Sequence, residues 1–219
     1  MSALPALRPS ERIVDSVHAA LRAAIFDGSL APGQALSVPE LSRQLDVSRS
    51  PVREAVLALV ASGLAVEQPR RGVAVAEIAT ADMLEIHEVC EGVEAQAARL
   101  CAERAGPAVL HQLAALLQQQ AVVVEQDDAV GWFQTNAGFH RLVAAGAGNR
   151  RLSEVVLMLE GQMRLGLRQV SSDRNQRRRG LGEHQAILAA ITGRDPEAAE
   201  RLMREHIRRT RERLALQLG

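Results

Sequence analysis

The sequence predicts a mostly α-helical protein: a winged helix-turn-helix of three helices plus a β-hairpin wing at the N-terminal end, then an all-α antiparallel helical bundle. Three observations carry this reading. From Glu11 to about Ile78 the order is helix, helix, tight turn, helix, hairpin. After "AEIAT" the chain holds only long stretches with Ala and Leu recurring at helical spacing, and no strand candidate. At 219 residues, 47% of them hydrophobic, it can build two modest cores. The expected organisation is a loose arm over residues 1–10, a winged domain over 11–78 and a helical domain over 79–219.

In order along the chain, "ERIVDSVHAALRAAIFDG" places Ile13, Val17, Leu21, Ala24 and Ile25 on one face and stops at Gly28. "SLAPGQAL" reads as a turn. Ser37 and Glu40 have the spacing of a capping box, which predicts a short helix from about Val38 to Leu45. Ser48 is placed to cap the next helix, and Pro51 lies in its first turn, where a missing N–H does no harm. That helix offers Val52, Val56, Leu59 and Val60 to a core and ends at Gly63. "LAVEQPRRGVAVAEI" alternates on both sides of a Pro-Arg-Arg-Gly turn, as two short strands would.

The remaining helices are expected near 81–104, 107–125, 128–146, 150–170, 177–192 and 196–217. The last has a marked start, with Asp195 as N-cap and Pro196 at the first helical position. "SSDRNQRRRG" is the one long polar interruption, and no repeat of fixed period occurs.

Composition removes several function classes. Basic and acidic residues number 26 each, so any nucleic-acid binding must come from local placement, and every basic residue is Arg. The aromatics are Trp132, Phe26, Phe133 and Phe139, with no Tyr, which disfavours modules that stack single-stranded bases. Cys90 and Cys101 fall on one predicted helix about 16 Å apart at about 1.5 Å per residue, too far to bridge. No signal peptide and no apolar run near the roughly 18 residues of a membrane helix are present, so the expectation is a reduced, cytoplasmic protein without a membrane partner.

The third helix opens with "VSRSPVREAV". A helix entering the major groove presents its N-terminal turns to base edges, so Arg49, Ser50 and Arg53 point where sequence is read. Either guanidinium can make a bidentate contact to guanine. The wing tip puts Arg70, Arg71 and Gly72 at the hairpin end, suited to the minor groove or a phosphate.

"IFDGSLAPGQAL", "ELSRQLDVSRSPVREAVLALVASGLA" and "RRGVAVAEI" closely resemble the N-terminal domain of GntR-family transcription regulators. The resemblance covers nearly all of residues 11–78 and implies a homodimer on palindromic double-stranded operator DNA. Where the family often has a DNA-contacting Arg before the Glu of the second helix, this chain has Pro39; Arg43 is the substitute candidate.

The stretch from about Thr80 onward is similar to the FCD effector domain of the FadR/VanR-type branch, in "EIHEVCEGVEAQAARLCAER", "NAGFHRLVAAGAGNRRL", "GEHQAILAAITGRDPEAA" and "MREHI". The resemblance implies a divalent metal held at Asn136, His140, His184 and His206. The residues point to the same four: Asn136 and His140 share a face with Phe133 and Val143, His184 with Leu181, Leu188 and Ile191, and His206 with Ala199, Leu202, Met203 and Thr210. One His on an apolar face is more often a satisfied core residue than a ligand; three want a shared explanation. Imidazoles suit Zn or Ni, and an Asn in place of a carboxylate is expected to leave the ion's charge uncompensated and to favour an anionic ligand.

At the position of Cys90 the family usually has an Arg that grips an effector's carboxylate. Arg164, Arg168 or Arg99 are candidates to serve instead, with His87 as a further pocket residue. The leading expectation is a ligand-responsive regulator, read as a repressor, whose effector is a small anionic molecule, a carboxylate. One alternative is a metalloregulator in which the metal is the signal. The other is a metal-dependent hydrolase fused to a DNA-binding head, against which stands the lack of an obvious general base: Glu183, next to His184, is turned about 100° from it on a helix.

Overall fold

A computed structural model describes residues 11–166 and 173–218. The expected arm over residues 1–10 and the candidate Arg168 lie outside them. The chain divides between Ile78 and Ala79 into two compact units.

In the first unit, α1 (Glu11–Asp27), α2 (Val38–Leu45) and α3 (Arg49–Ala61) are followed by β1 (Ala65–Gln68) and β2 (Gly72–Val75). Val17, Leu21 and Ile25 bury the face of α1 that meets α3, while Ile13, one turn earlier, is 48% exposed. Val52, Val56 and Leu59 form the core face of α3, and Val60 is half-buried. The strands pair antiparallel from Ala65↔Val75 to Gln68↔Gly72. The stretch expected as a plain turn also lends an edge to this hairpin: Ala35 bridges Ala74, and Leu36 N–H donates to Val73 O at 2.7 Å. One bridge is too short a signal for alternation to reveal.

Two local expectations change. The capping box does not form: Ser37 occupies the N-cap without a side-chain bond, and Glu40 pairs instead with Arg43 and Gln44 on the following turn. Ser48 likewise sits at the N-cap of α3 without a side-chain bond.

The second unit is all helical among the described residues: α4 (Thr80–Arg104), α5 (Pro107–Glu125), α6 (Ala129–Gly146), α7 (Arg150–Gly166), α8 (Arg174–Thr192) and α9 (Pro196–Leu218). α4 packs along most of α9. Ion pairs Arg211–Glu88 and Arg99–Glu200 near opposite ends of that contact make it antiparallel. α5 packs on α6, and α8 on α9. Asp195 caps α9 as expected, accepting from Ala198 N–H at 2.9 Å. No described helix is long and apolar enough to cross a membrane.

α8 begins earlier than the polar stretch suggested. Asp173 accepts from Gln176 N–H at 2.8 Å and caps it, and its arginines find acids at the end of α5: Arg174 and Arg178 meet Glu125, and the buried Arg177 pairs with Asp127. These partners lie some fifty residues away in sequence, beyond any periodicity argument.

Gly180 of α8 faces Trp132: a Cβ there would lie 2.8 Å from the ring. Gly180→Ala is therefore expected to displace the indole at a cost of about 1–3 kcal/mol, as overpacking does. A lowered melting temperature and a changed emission from the protein's single Trp check it.

Candidate functional site

Three helices each turn one imidazole into the interior of the second unit. His140 from α6, His184 from α8 and His206 from α9 are all buried, and one ring nitrogen from each lies within 4.8 Å of the other two. These are three of the four residues the sequence proposed as metal ligands. The fourth, Asn136, stands one turn before His140, half-buried, with no side-chain hydrogen bond to another described residue, and lines a cavity with His140 and His206.

Each imidazole is held from behind. Gln120, fully buried on α5, donates through Nε2 to Thr135 O at 3.0 Å, which fixes its amide so that Oε1 accepts from His184 Nδ1 at 2.9 Å. His206 Nδ1 donates to Glu183 at 2.7 Å, and His140 Nδ1 to Glu94. With the Nδ1 atoms occupied, Nε2 is the nitrogen left for ligation on each ring. Nε2 of His184 and Nε2 of His206 face each other at 3.3 Å. In the neutral rings both carry lone pairs, an arrangement that a shared cation or proton satisfies. Phe139 stacks on His184 with ring centroids 4.1 Å apart, and Trp132 stacks on it at 5.9 Å, so the ring cannot swing away.

Burial, aided by the two neighbouring imidazoles, drives the pKa of His184 well below its ordinary 6.5. Burial also lowers His206, against the hydrogen bond to Glu183. At His140 burial opposes the charge, but the Glu94 carboxylate prevails through its charge and hydrogen bond and lifts the pKa. Glu94, whose burial alone would raise its pKa, is pulled below the usual carboxylate range by His140. Burial raises Glu183 too, but its bonds to His206 and Arg213 lower it overall. Two ionised carboxylates thus stand directly behind the imidazoles. Against the expectation that Asn136 leaves an ion's charge uncompensated, Glu94 and Glu183 would supply negative charge to such an ion from behind the imidazoles.

The cavity beside the cluster measures about 90 Å³. Its wall includes three of the effector candidates, His87, Cys90 and Arg164. Burial pushes the Cys90 thiol far up, and it is hydrogen-bonded to Glu94, so it supports that carboxylate and is no charged clamp. Arg99 does not belong here; it pairs with Glu103 and Glu200 on the outer side of α4. Glu94, Gln120 and the role of Glu183 went unread in the sequence. Glu94 could have been found, since it lies four residues after Cys90 and seven after His87 on the face those two share. Gln120 continues the buried stripe of Leu113, Leu117 and Val124.

In the first unit, Arg49, Ser50 and Arg53 are exposed on the opening turns of α3, with Ser50 Oγ donating to Glu54 at 3.2 Å. Arg70, at φ 65°, Arg71 and Gly72 form the exposed hairpin tip. Arg43 is tied to Glu40, which weakens it as a substitute DNA contact.

A winged head with guanidinium groups on its reading helix and wing, in one chain with a helical unit that holds a cavity beside three buried imidazoles, defines a DNA-binding transcription regulator with an effector domain. Residues 13–75 match the bacterial regulatory proteins of the gntR family and residues 85–209 match the FCD domain, and the chain belongs to this family. It is 29% identical over 202 residues to the HTH-type transcriptional repressor RspR of Escherichia coli K12, covering 92% of this chain and 88% of that protein. Among solved structures, E. coli McbR/YncC superposes with a TM-score of 0.79 at 25% identity, covering 94% of this chain and 98% of that one. A putative GntR regulator from Rhodococcus sp. RHA1 gives 0.74 at 25% identity, over 93% and 98%. These proteins are regulators, so the hydrolase alternative is set aside.

The charge states set a pH dependence for metal-stripped protein. As pH falls through 6.5, the unfolded chain protonates its imidazoles while folded His184 and His206 resist, so the unfolded state binds more protons and stability drops. His140 acts oppositely: its contribution is full below 6.5 and is lost as pH rises through its raised folded pKa. Melting temperatures across about pH 5.5 to about 8.5 are expected to peak near the middle of that range, and Glu94→Gln to flatten the alkaline limb.

Proposed function

We propose that this regulator is a repressor that binds a palindromic operator as a homodimer and is controlled by a small carboxylate entering the cavity beside a metal-bearing cluster. The metal is Zn or Ni, held by His140, His184 and His206 with Asn136 completing the set. The observation that carries the reading is the convergence of three buried imidazoles, each anchored at Nδ1 by an acid or a fixed amide. Buried neutral histidines with their lone pairs turned toward one another are costly without a cation between them. An ion there supplies a Lewis-acidic point for an acidic ligand. To join the set, His140 gives up the proton that Glu94 favours, so loading depends on pH.

For the effector, Arg164 is the arginine on the cavity wall suited to a carboxylate, with His87 and Cys90 on the α4 side. At the head, Arg49, Ser50 and Arg53 serve base edges, and Arg70, Arg71 and Gly72 serve the backbone or minor groove. RspR's description as a transcriptional repressor supports that sense of regulation here. The two units correspond to a DNA-binding domain over 11–78 and an effector and dimerisation domain over 79–219. The small size of the cavity, about 90 Å³, also favours a second reading, in which the metal itself is the signal.

Elemental analysis of the purified chain is expected to find about one Zn or Ni per protomer, lost in His184→Ala and retained in Asn136→Asp. Absence of metal from both the wild type and Asn136→Asp rejects the site. If added metal alone changes operator affinity and no carboxylate does, the second reading replaces the first. Arg53→Ala is expected to weaken operator binding by about 1–3 kcal/mol and to relax specificity at one position. Arg71→Ala should weaken all sequences similarly and lower the salt slope by about one; equal losses on operator and random DNA for Arg53→Ala would contradict the assignment.

A further inference from the structure

On the α4 side the cavity is lined by His87, whose ring has a polar atom that the protein leaves unpaired. His87 is 1% exposed and lines the cavity together with Glu94, Glu160 and Arg164. Its Nδ1 donates to Met83 O at 2.7 Å, one turn back on the same helix. That bond fixes the proton on Nδ1 and leaves Nε2 of the neutral ring as an acceptor. Nε2 is buried and has no partner among the described residues. An unpaired buried acceptor is a standing cost, and a ligand that brings a donor removes it.

The rest of the lining points to the same ligand chemistry. Glu94 accepts from His140 and Cys90, and Glu160 accepts from Arg141, so the α4 and α7 sides hold carboxylate oxygens and an imidazole lone pair. Such a wall asks for hydrogen-bond donors. Glu94 and Glu160 already hold His140 and Arg141, so the acceptor left unpaired is the uncharged Nε2 of His87, which a hydroxyl satisfies without bringing a further charge. Cys90 carries no charge and is engaged with Glu94, so on the α4 side recognition falls to His87.

We propose that the cavity selects acids that also carry a hydroxyl group, and that His87 Nε2 accepts the hydrogen bond from that hydroxyl. This rests on the reading of the cavity as the effector site. Arg164 serves the carboxylate and His87 the hydroxyl, so an acid lacking the hydroxyl leaves the imidazole unpaired as it is in the free protein. A site built around a hydroxyl discriminates strongly against the analogue that lacks it, for that reason.

The test uses the full chain with the metal it carries on purification and matched acids: lactate and glycerate against propionate, and malate against succinate, by calorimetry. In the wild type the hydroxylated member of at least one set is expected to bind on the order of tenfold more tightly than its partner. His87→Leu should bring that ratio close to one, and His87→Gln, which restores an acceptor, should recover part of it. Circular-dichroism melts confirm that each variant is folded. Equal affinity within every set in the wild type overturns the inference, as does a preference that survives His87→Leu, which would assign the hydroxyl to the metal or to Arg164. Those outcomes leave the effector site standing. Failure of all five acids to bind at all rejects the organic-acid reading of the cavity, and the inference with it.

Discussion

The second unit is organised around the need to bury three imidazoles without leaving their nitrogens unsatisfied. Each ring has one nitrogen taken by a neighbour from a different helix: Gln120 of α5 for His184, Glu94 of α4 for His140, and Glu183 of α8 for His206. Five of the six helices therefore meet at one polar point inside an apolar bundle. A polar network in a low-dielectric interior is stabilising only when complete, so this cluster fixes helix register far more tightly than apolar packing, which tolerates shape-conserving changes.

The same requirement shapes the surroundings. Glycine at position 180 lets Trp132 close over His184, with Phe139 stacked on the same ring. Cys90 spends its weak donor on Glu94 and so helps to hold the acid that holds His140. Charge is distributed so that the carboxylates stand behind the imidazoles and the ligand-facing nitrogens point inward. A cation placed at the centre would be balanced by groups that do not touch it.

The DNA-reading unit follows a simpler logic. Its core is a short stripe from each helix, and the residues suited to bind stand on the surfaces that core does not use. Arg49 and Arg53 stay exposed because the opposite face of α3 is filled by Val52, Val56 and Leu59. Arg43 shows the competing pull of local charge: an acid three residues earlier captures it.

What the sequence by itself determined is whatever repeats at short range. The helical stripes, the hairpin with its Pro-Arg-Arg-Gly turn, the cap at Asp195 and the inward direction of His140, His184 and His206 all follow from spacing of a few residues. Even Glu94 was within reach by the same face argument. Tertiary structure alone decided what each buried polar group would meet. Glu40 had a local capping role open to it and took Arg43 and Gln44 instead; Arg177, within the long polar stretch, is buried against Asp127; Glu183 looked misdirected beside His184 and serves His206. Periodicity gives the direction of a side chain from its own helix axis, but the partner at the end of that direction comes from another helix, and helix packing is set by the whole core.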